Sequence, residues 1–142
     1  MKIGIDARWI FPEISGIGAY TRELVRALAR LDTPHGFTLF FSEPHLLERE
    51  WSELGLTGHP RFTAQLLPYG LFAPANQLSL PGVLRRAELD LFHSTGFMIP
   101  LWAFPRRFPH RIRCVVTVHD VIPMIFPRAA PRSRKARLYP LY

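Results

Sequence analysis

Cysteine is almost missing from this sequence. Cys114 stands alone among 142 residues, which excludes an internal disulfide and with it the disulfide-stapled secreted scaffolds. It lies inside an apolar run, so an inert core thiol in a reducing cytoplasm is the expected state. No stretch of eighteen apolar residues occurs, so no helix is expected to span a membrane. Met1 to Asp6 lacks the apolar segment of a signal peptide and brings in an acidic residue too early for one. No spacing of His, Cys, Asp and Glu resembles a metal site and no Ser-His-acid set stands out, so a protein-bound metal is not expected. A dinucleotide fingerprint is missing too. It needs Gly-x-Gly-x-x-Gly directly after a strand, whereas Gly16 comes ten residues after Asp6 and Thr21 holds the third glycine position. A nicotinamide-dependent oxidoreductase is therefore disfavoured.

Acidic residues are scarce in one part of the chain. Residues 1–90 carry nine Lys/Arg against ten Asp/Glu, but residues 91–142 carry nine Lys/Arg against Asp120 alone. Such asymmetry points to an anionic partner: phosphates, acidic lipid or nucleic acid. Lysine is nearly absent, with sixteen of the eighteen basic residues being Arg, a bias that a GC-rich genome produces without any binding chemistry. A hydrophobic content of 48% fits a folded chain rather than a disordered one. The length suits one domain, or part of one, that buries about two-thirds of its unfolded surface.

What is present is organised around Arg113 to Pro123. Cys114 to Val118 is apolar or β-branched without alternation, the pattern of a strand buried on both faces of a parallel sheet. His119 and Asp120 follow without a spacer, at the carboxyl end of that strand, the edge where open α/β sheets bind ligands. An imidazole there can donate a hydrogen bond to a sugar hydroxyl or phosphate, and the carboxylate can accept from hydroxyls. The plainer alternative is a strand-end cap followed by a turn before Pro123.

Lys2 to Asp6 reads as the first strand and Ala7 to Ser15 as a loop. From Gly16 a helical pattern follows, with Tyr20, Leu24, Ala27, Leu28 and Leu31 on its apolar side. Phe37 to Phe41 is a second strand, Pro44 to Leu54 a weaker helix and Phe62 to Leu67 a third strand. Leu78 to Ala87 reads as a short helix with Ser79 as its N-cap and Pro81 in its first turn. Asp90 to His93 is a fourth strand, Thr95 to Arg111 a long loop and Cys114 to Val118 the fifth strand. Ser133 opens a last helix inside which the sequence ends, so the chain reads as a fragment with an unpaired sheet edge. Strands alternating with helices predict an α/β fold, a Rossmann-like doubly wound parallel sheet with helices on both faces.

Gly16-Ile17-Gly18 is a second candidate site. Glycines at a helix start let a ligand approach the backbone, and the free N–H groups and positive dipole favour a phosphate. A ligand-free turn is the alternative. Asp6 and Arg8 end the first strand, and His93 and Ser94 end the fourth, at the same edge as His119; such convergence favours a site. The remaining histidines, His35, His45, His59 and His110, fall in loops or on solvated faces. Phe97 to Arg113 mixes Phe97, Met98, Trp102, Phe104 and Phe108 with Arg106, Arg107, Arg111 and Arg113. That segment suits an anionic bilayer, at roughly 1 kcal/mol per basic residue near the surface, or a loop whose aromatics pack over the sheet end. Stacking on nucleic acid bases ranks below both, and no nucleic-acid partner is expected.

Taken together, Lys2-Ile3-Gly4-Ile5-Asp6-Ala7-Arg8 and Ser15-Gly16-Ile17-Gly18 with Tyr20-Thr21-Arg22-Glu23-Leu24 resemble the amino terminus of glycosyltransferase family 4. Leu91-Phe92-His93-Ser94 and Val116-Thr117-Val118-His119-Asp120-Val121-Ile122-Pro123 are similar to two further signatures in the same order, and Ser133 to Tyr142 resembles the following helix. The likeness is greatest to bacterial mannosyltransferase-like members that build surface polysaccharides. It implies a GT-B architecture, of which residues 1–142 would be the truncated amino-terminal, acceptor-side domain. It also implies retaining, metal-independent transfer from a nucleoside-diphosphate sugar, a substrate rather than a cofactor, to a glycan or lipid-linked acceptor. By position, Gly16, Ile17 and Gly18 would lie near the donor phosphates and His119 would be the catalytic contact to the donor sugar. Arg8, Tyr20, His93 and Asp120 would lie toward the acceptor or cleft wall. The second domain, with its basic phosphate clamp and glutamate pair, is not in these residues, so this chain alone is expected to be inactive. The competing expectation is a non-catalytic module that binds an anionic membrane or a glycan. Either way the expected location is cytoplasmic, peripheral on the inner face of the cell membrane.

Overall fold

Five runs of apolar and β-branched residues pair into one sheet. In a computed structural model of the chain, which describes residues 1–13, 15–104, 112–121 and 125, the strands are β1 (Lys2–Asp6), β2 (Gly36–Phe41), β3 (Phe62–Leu66), β4 (Leu91–Ser94) and β5 (Arg113–Val116). Every pairing is parallel, in the order β3-β2-β1-β4-β5. The helices between them are α1 (Gly16–Arg30), α2 (Pro44–Glu53), α3 (Ala75–Leu78) and α4 (Leu80–Arg86). This is the expected Rossmann-like α/β architecture.

Side chains that alternate along each strand divide the core in two. Ile5, Phe37, Leu39 and Phe41 pack with Val25 of α1 and with Leu54 and Leu56 beyond α2. On the opposite face Phe40 and Phe92 meet Leu80 and Leu84, one turn apart on α4. Helices therefore cover both faces over β1, β2 and β4, while the edge strand β3 buries only Phe62. The chain order reverses between β1 and β4, and in open sheets that switch point opens a crevice at the carboxyl ends.

Three local expectations are corrected. The buried stripe of α1 is Gly18, Thr21 and Val25, with Leu28 and Ala29 partly buried. It is turned away from Tyr20, Ala27 and Leu31, which are exposed. Small residues win that face because the helix start presses on the preceding loop, and the buried Thr21 hydroxyl is satisfied by donating to the Ile17 carbonyl at 2.8 Å. Ser79 caps nothing. It is in the right-handed helical region, its N–H donates to the Ala75 carbonyl at 2.8 Å, and it joins α3 to α4. β5 is shorter than expected and is not buried on both faces. Arg113 and Val115 are exposed and Cys114 and Val116 half-buried, because among the described residues β5 pairs only with β4. Cys114 is thus a half-buried thiol rather than a core one, and burial still pushes its pKa up to about 11.

Candidate functional site at the carboxyl edge of the sheet

The strand ends at the switch point turn polar at once. After β1 the backbone turns in, with Ala7 N–H donating to the Phe40 carbonyl and Ile10 N–H to the Ala7 carbonyl, both at 3.0 Å. The turn buries Asp6 and Arg8 together. Arg8 Nε donates to Asp6 Oδ1 at 2.8 Å, and Nη2 donates to Asp6 Oδ2 at 2.7 Å and to Asn76 Oδ1 at 2.8 Å. Arg8 is only 2% exposed. It lies under the edge and anchors it, whereas Trp9 next to it is the residue that reaches a cleft. The Trp9 ring packs edge-on against Phe11 and Phe72 and tilted against Phe97.

Ser15 starts α1. Its Oγ accepts the Gly18 N–H at 3.0 Å, an N-cap that Ser15 ahead of a helical run would have signalled. This divides the glycine turn. The Gly18 N–H is spent on Ser15, and a Cβ at Gly18 would lie 2.9 Å from Ser15 Oγ and 3.0 Å from the Trp9 carbonyl, so Gly18 is there for close packing. A Cβ at Gly16 would meet nothing within 4 Å. Gly16 and Ile17 carry the first N–H groups of the helix, which no helix start pairs internally. No acidic residue of α1's own first turn offsets the positive end of the dipole.

Across the edge, β4 and the segment after β5 supply two histidines. His119 Nε2 lies 2.8 Å from the Thr95 carbonyl, which can only accept, so Nε2 carries the proton. In the neutral ring the other nitrogen, Nδ1, is then an acceptor for a ligand hydroxyl; the expected donor role needs the imidazolium. Thr95 holds its place by donating Oγ1–H to the Asp6 carbonyl at 2.8 Å. His93 Nε2 lies 2.8 Å from Thr117 Oγ1, and Tyr20 OH 3.2 Å from the same oxygen. Burial lowers the His93 pKa. The Tyr20 ring meets the His119 ring edge-on, centroids 4.9 Å apart.

These parts frame a cleft of about 400 Å³ lined by Trp9, Phe11, Gly16, Ile17, His119 and Asp120, with Ser15. A helix start, an imidazole and a carboxylate share one apolar-floored hollow. A larger hollow of about 530 Å³ lies on the other side of α1. Its arginines are all matched: Arg22 by Glu50 and Glu53, Arg26 by Glu23, Arg49 by Glu50. No net charge is left there to attract an anion, so the smaller cleft is the candidate. Among the described residues no group of three or more His, Cys, Asp or Glu could hold a metal ion.

A sequence model of the family described as Glycosyltransferase Family 4 matches residues 14–142. The chain belongs to glycosyltransferase family 4. Neither a curated protein nor a solved structure matches it. In this family 4 domain the structure brings Gly16, Ile17, His119 and Asp120 to one cleft, with Tyr20 against His119 and His93 joined to Tyr20 through Thr117. It does not bring Arg8 to that cleft. Thr117 and Thr95 were not singled out from the sequence, because a threonine at a strand end gives no local sign of the partners it will meet. Arg106, Arg107, Phe108, Arg111 and the helix expected from Ser133 lie outside the described residues.

Proposed function

We propose that this domain is the amino-terminal, acceptor-side part of a retaining, metal-independent GT-B glycosyltransferase. It moves a sugar, with mannose as the leading candidate, from a nucleoside-diphosphate sugar to a glycan or lipid-linked acceptor on the cytoplasmic side of a membrane. The observation that carries the reading is His119, tethered by Thr95 beside the open helix start at Gly16 and Ile17. A donor pyrophosphate suits the N–H groups and dipole of α1, and a sugar hydroxyl suits the His119 ring. Gly18 serves the same turn by letting it pack. Asp120, on the cleft wall, suits acceptor hydroxyls. Tyr20 and His93 stand behind His119, and Arg8 supports the acceptor side from beneath, through the segment it anchors.

Catalysis in such a site comes from positioning and from stabilising an oxocarbenium-like transition state, not from a nucleophilic histidine. His119→Ala in the enzyme that contains both domains is expected to lower turnover roughly 10²-fold with little change in donor affinity. Unchanged turnover rejects the role.

A second reading, compatible with the first, is contact with an anionic bilayer. It is favoured by Leu78 and Trp102, 63% and 64% exposed at the end of α3 and in the 3₁₀ turn Leu101–Ala103. No helix among the described residues is long and apolar enough to cross a membrane, so such contact would be peripheral.

A further inference from the structure

A hydroxyl offers one proton and two lone pairs, so it can join two polar groups and set their spacing. Thr117 does this where three chain segments meet. Its backbone N–H extends the β4–β5 ladder by one step, donating to the Ser94 carbonyl at 3.0 Å, which fixes the Cα. Its Oγ1 then lies 2.8 Å from His93 Nε2 on β4 and 3.2 Å from Tyr20 OH on α1. Tyr20 is 36% exposed, and a tyrosine so placed keeps rotamer freedom unless something holds it. Two contacts hold it: the Thr117 hydroxyl at the ring's tip and the His119 ring along its flank. His119 in turn is fixed by Tyr20 on one side and by the Thr95 carbonyl at Nε2.

We propose that Thr117 is a positioning residue of the cleft: its hydroxyl links the Tyr20 phenol to His93, and the Tyr20 ring thereby sets the orientation of the His119 imidazole. The geometry stands by itself, and the consequence for sugar transfer rests on the reading given above. A valine at 117 has the same branched shape and keeps the ladder but removes the link. A serine keeps the hydroxyl.

The test is to label histidine ring nitrogens in the full chain and compare ring ¹H–¹⁵N spectra of the wild type, Thr117→Val, Thr117→Ser, Tyr20→Phe and the Thr117→Val/Tyr20→Phe double variant. Thr117→Val is expected to shift the ring signals of both His93 and His119. Tyr20→Phe shifts those of His119 as well, the double variant moves His119 no further than either single change, and Thr117→Ser restores the wild-type positions. Unmoved His119 signals in folded Thr117→Val overturn the proposal. Should that variant not fold, unmoved His119 signals in Tyr20→Phe, which loses only an exposed hydroxyl, overturn it equally. In the enzyme with both domains, Thr117→Val is expected to lower kcat about tenfold at unchanged donor KM, with Thr117→Ser recovering the loss. Unchanged kcat beside shifted ring signals overturns the catalytic half of the proposal. Shifted signals in Thr117→Val and Tyr20→Phe, beside a wild-type enzyme that transfers no sugar, reject the glycosyltransferase reading and leave the positioning role standing.

Discussion

Gly96 has no room for a side chain, and this makes Trp9 sensitive to a single methyl group. A Cβ at position 96 would lie 2.5 Å from Trp9 Cε2 and 2.7 Å from Cζ2, too close for any rotamer of a ring that Phe11, Phe72 and Phe97 already enclose. Gly96→Ala is therefore expected to cost about 1–3 kcal/mol, as overpacking does, and to push the indole toward the cleft. A lower urea midpoint checks the first effect. A red-shifted Trp9 emission, measured with Trp51 and Trp102 replaced by Phe, checks the second. His93 gives a residue-scale dependence on pH. Burial lowers its pKa from the ordinary 6.5, so the folded state binds fewer protons than the unfolded state between the two values. Stability from this group is thus complete above 6.5 and falls as pH drops through the lower, folded value. His93→Gln, which keeps an amide near Thr117, is expected to flatten that acid-side decline. An equally steep decline in the variant rejects His93 as its source. The two histidines at this edge were legible because each closes an apolar run. The hydroxyl that joins His93 to Tyr20 was not: Thr117 meets them from 24 and 97 positions away, and no local pattern carries such distances.

At the scale of elements, what fixes α1 also fixes the cleft, since the helix brings Gly16, Ile17 and Tyr20 with it. Its far end is held by Arg61, just before β3, which donates to the Leu31 carbonyl at 2.7 Å and the Thr33 carbonyl at 3.2 Å. Its middle is held by Glu50 of α2, a fully buried carboxylate with Arg22 Nε at 2.9 Å on one side and Arg49 Nη2 at 2.9 Å on the other. The amphipathic pattern of α2 is legible in Leu46, Leu47 and Trp51, and the helical period puts Glu50 on that same buried face; what the pattern does not show is the cation that lets a carboxylate stay there, which α1 delivers as Arg22 from the other side. The arginines are partly exposed while the carboxylate is not, which makes removal of the two ends unequal. Replacing Arg22 and Arg49 together by Met strands a buried charge and is expected to cost about 3–5 kcal/mol. Glu50→Gln releases both guanidinium groups toward water and is expected to cost only about 1–2 kcal/mol. Chemical denaturation of the two variants decides, and equal losses would show that the carboxylate is not the strained partner.

For the whole molecule, the sheet was legible because β1 to β4 are short apolar runs separated by helical or turn-rich stretches, and chain order in such a pattern leaves few arrangements. The burial of Arg8 was not: Asp6, which takes its charge, reads equally well as a second site residue, and the further hydrogen bond goes to Asn76, 68 positions away. The uneven distribution of charge bears on the molecule as a unit. Leu78, Leu101 and Trp102 are exposed where α3 and the 3₁₀ turn come together, tied by Gln77 Nε2 donating to the Ile99 carbonyl at 2.8 Å. The sequence that follows carries Arg106, Arg107 and Arg111. If this surface rests on an anionic bilayer, two forces with different salt responses must act together. Arginine attraction is worth about 1 kcal/mol each near the surface and is screened once the Debye length falls to about 3 Å in 1 M salt. Burial of the Trp102 side chain contributes about 1.5–3 kcal/mol, is apolar and survives salt. Sedimentation with phosphatidylserine vesicles is therefore expected to weaken about tenfold or more for Trp102→Ala at every salt concentration. For Arg106→Gln with Arg107→Gln it is expected to weaken by a similar factor in low salt and hardly at all in high salt. An Arg effect without a Trp102 effect would mean that the charge attracts a soluble anion or a bilayer by another surface. No sedimentation of the wild type in low salt would reject the contact altogether, leaving the exposed tryptophan to a protein surface.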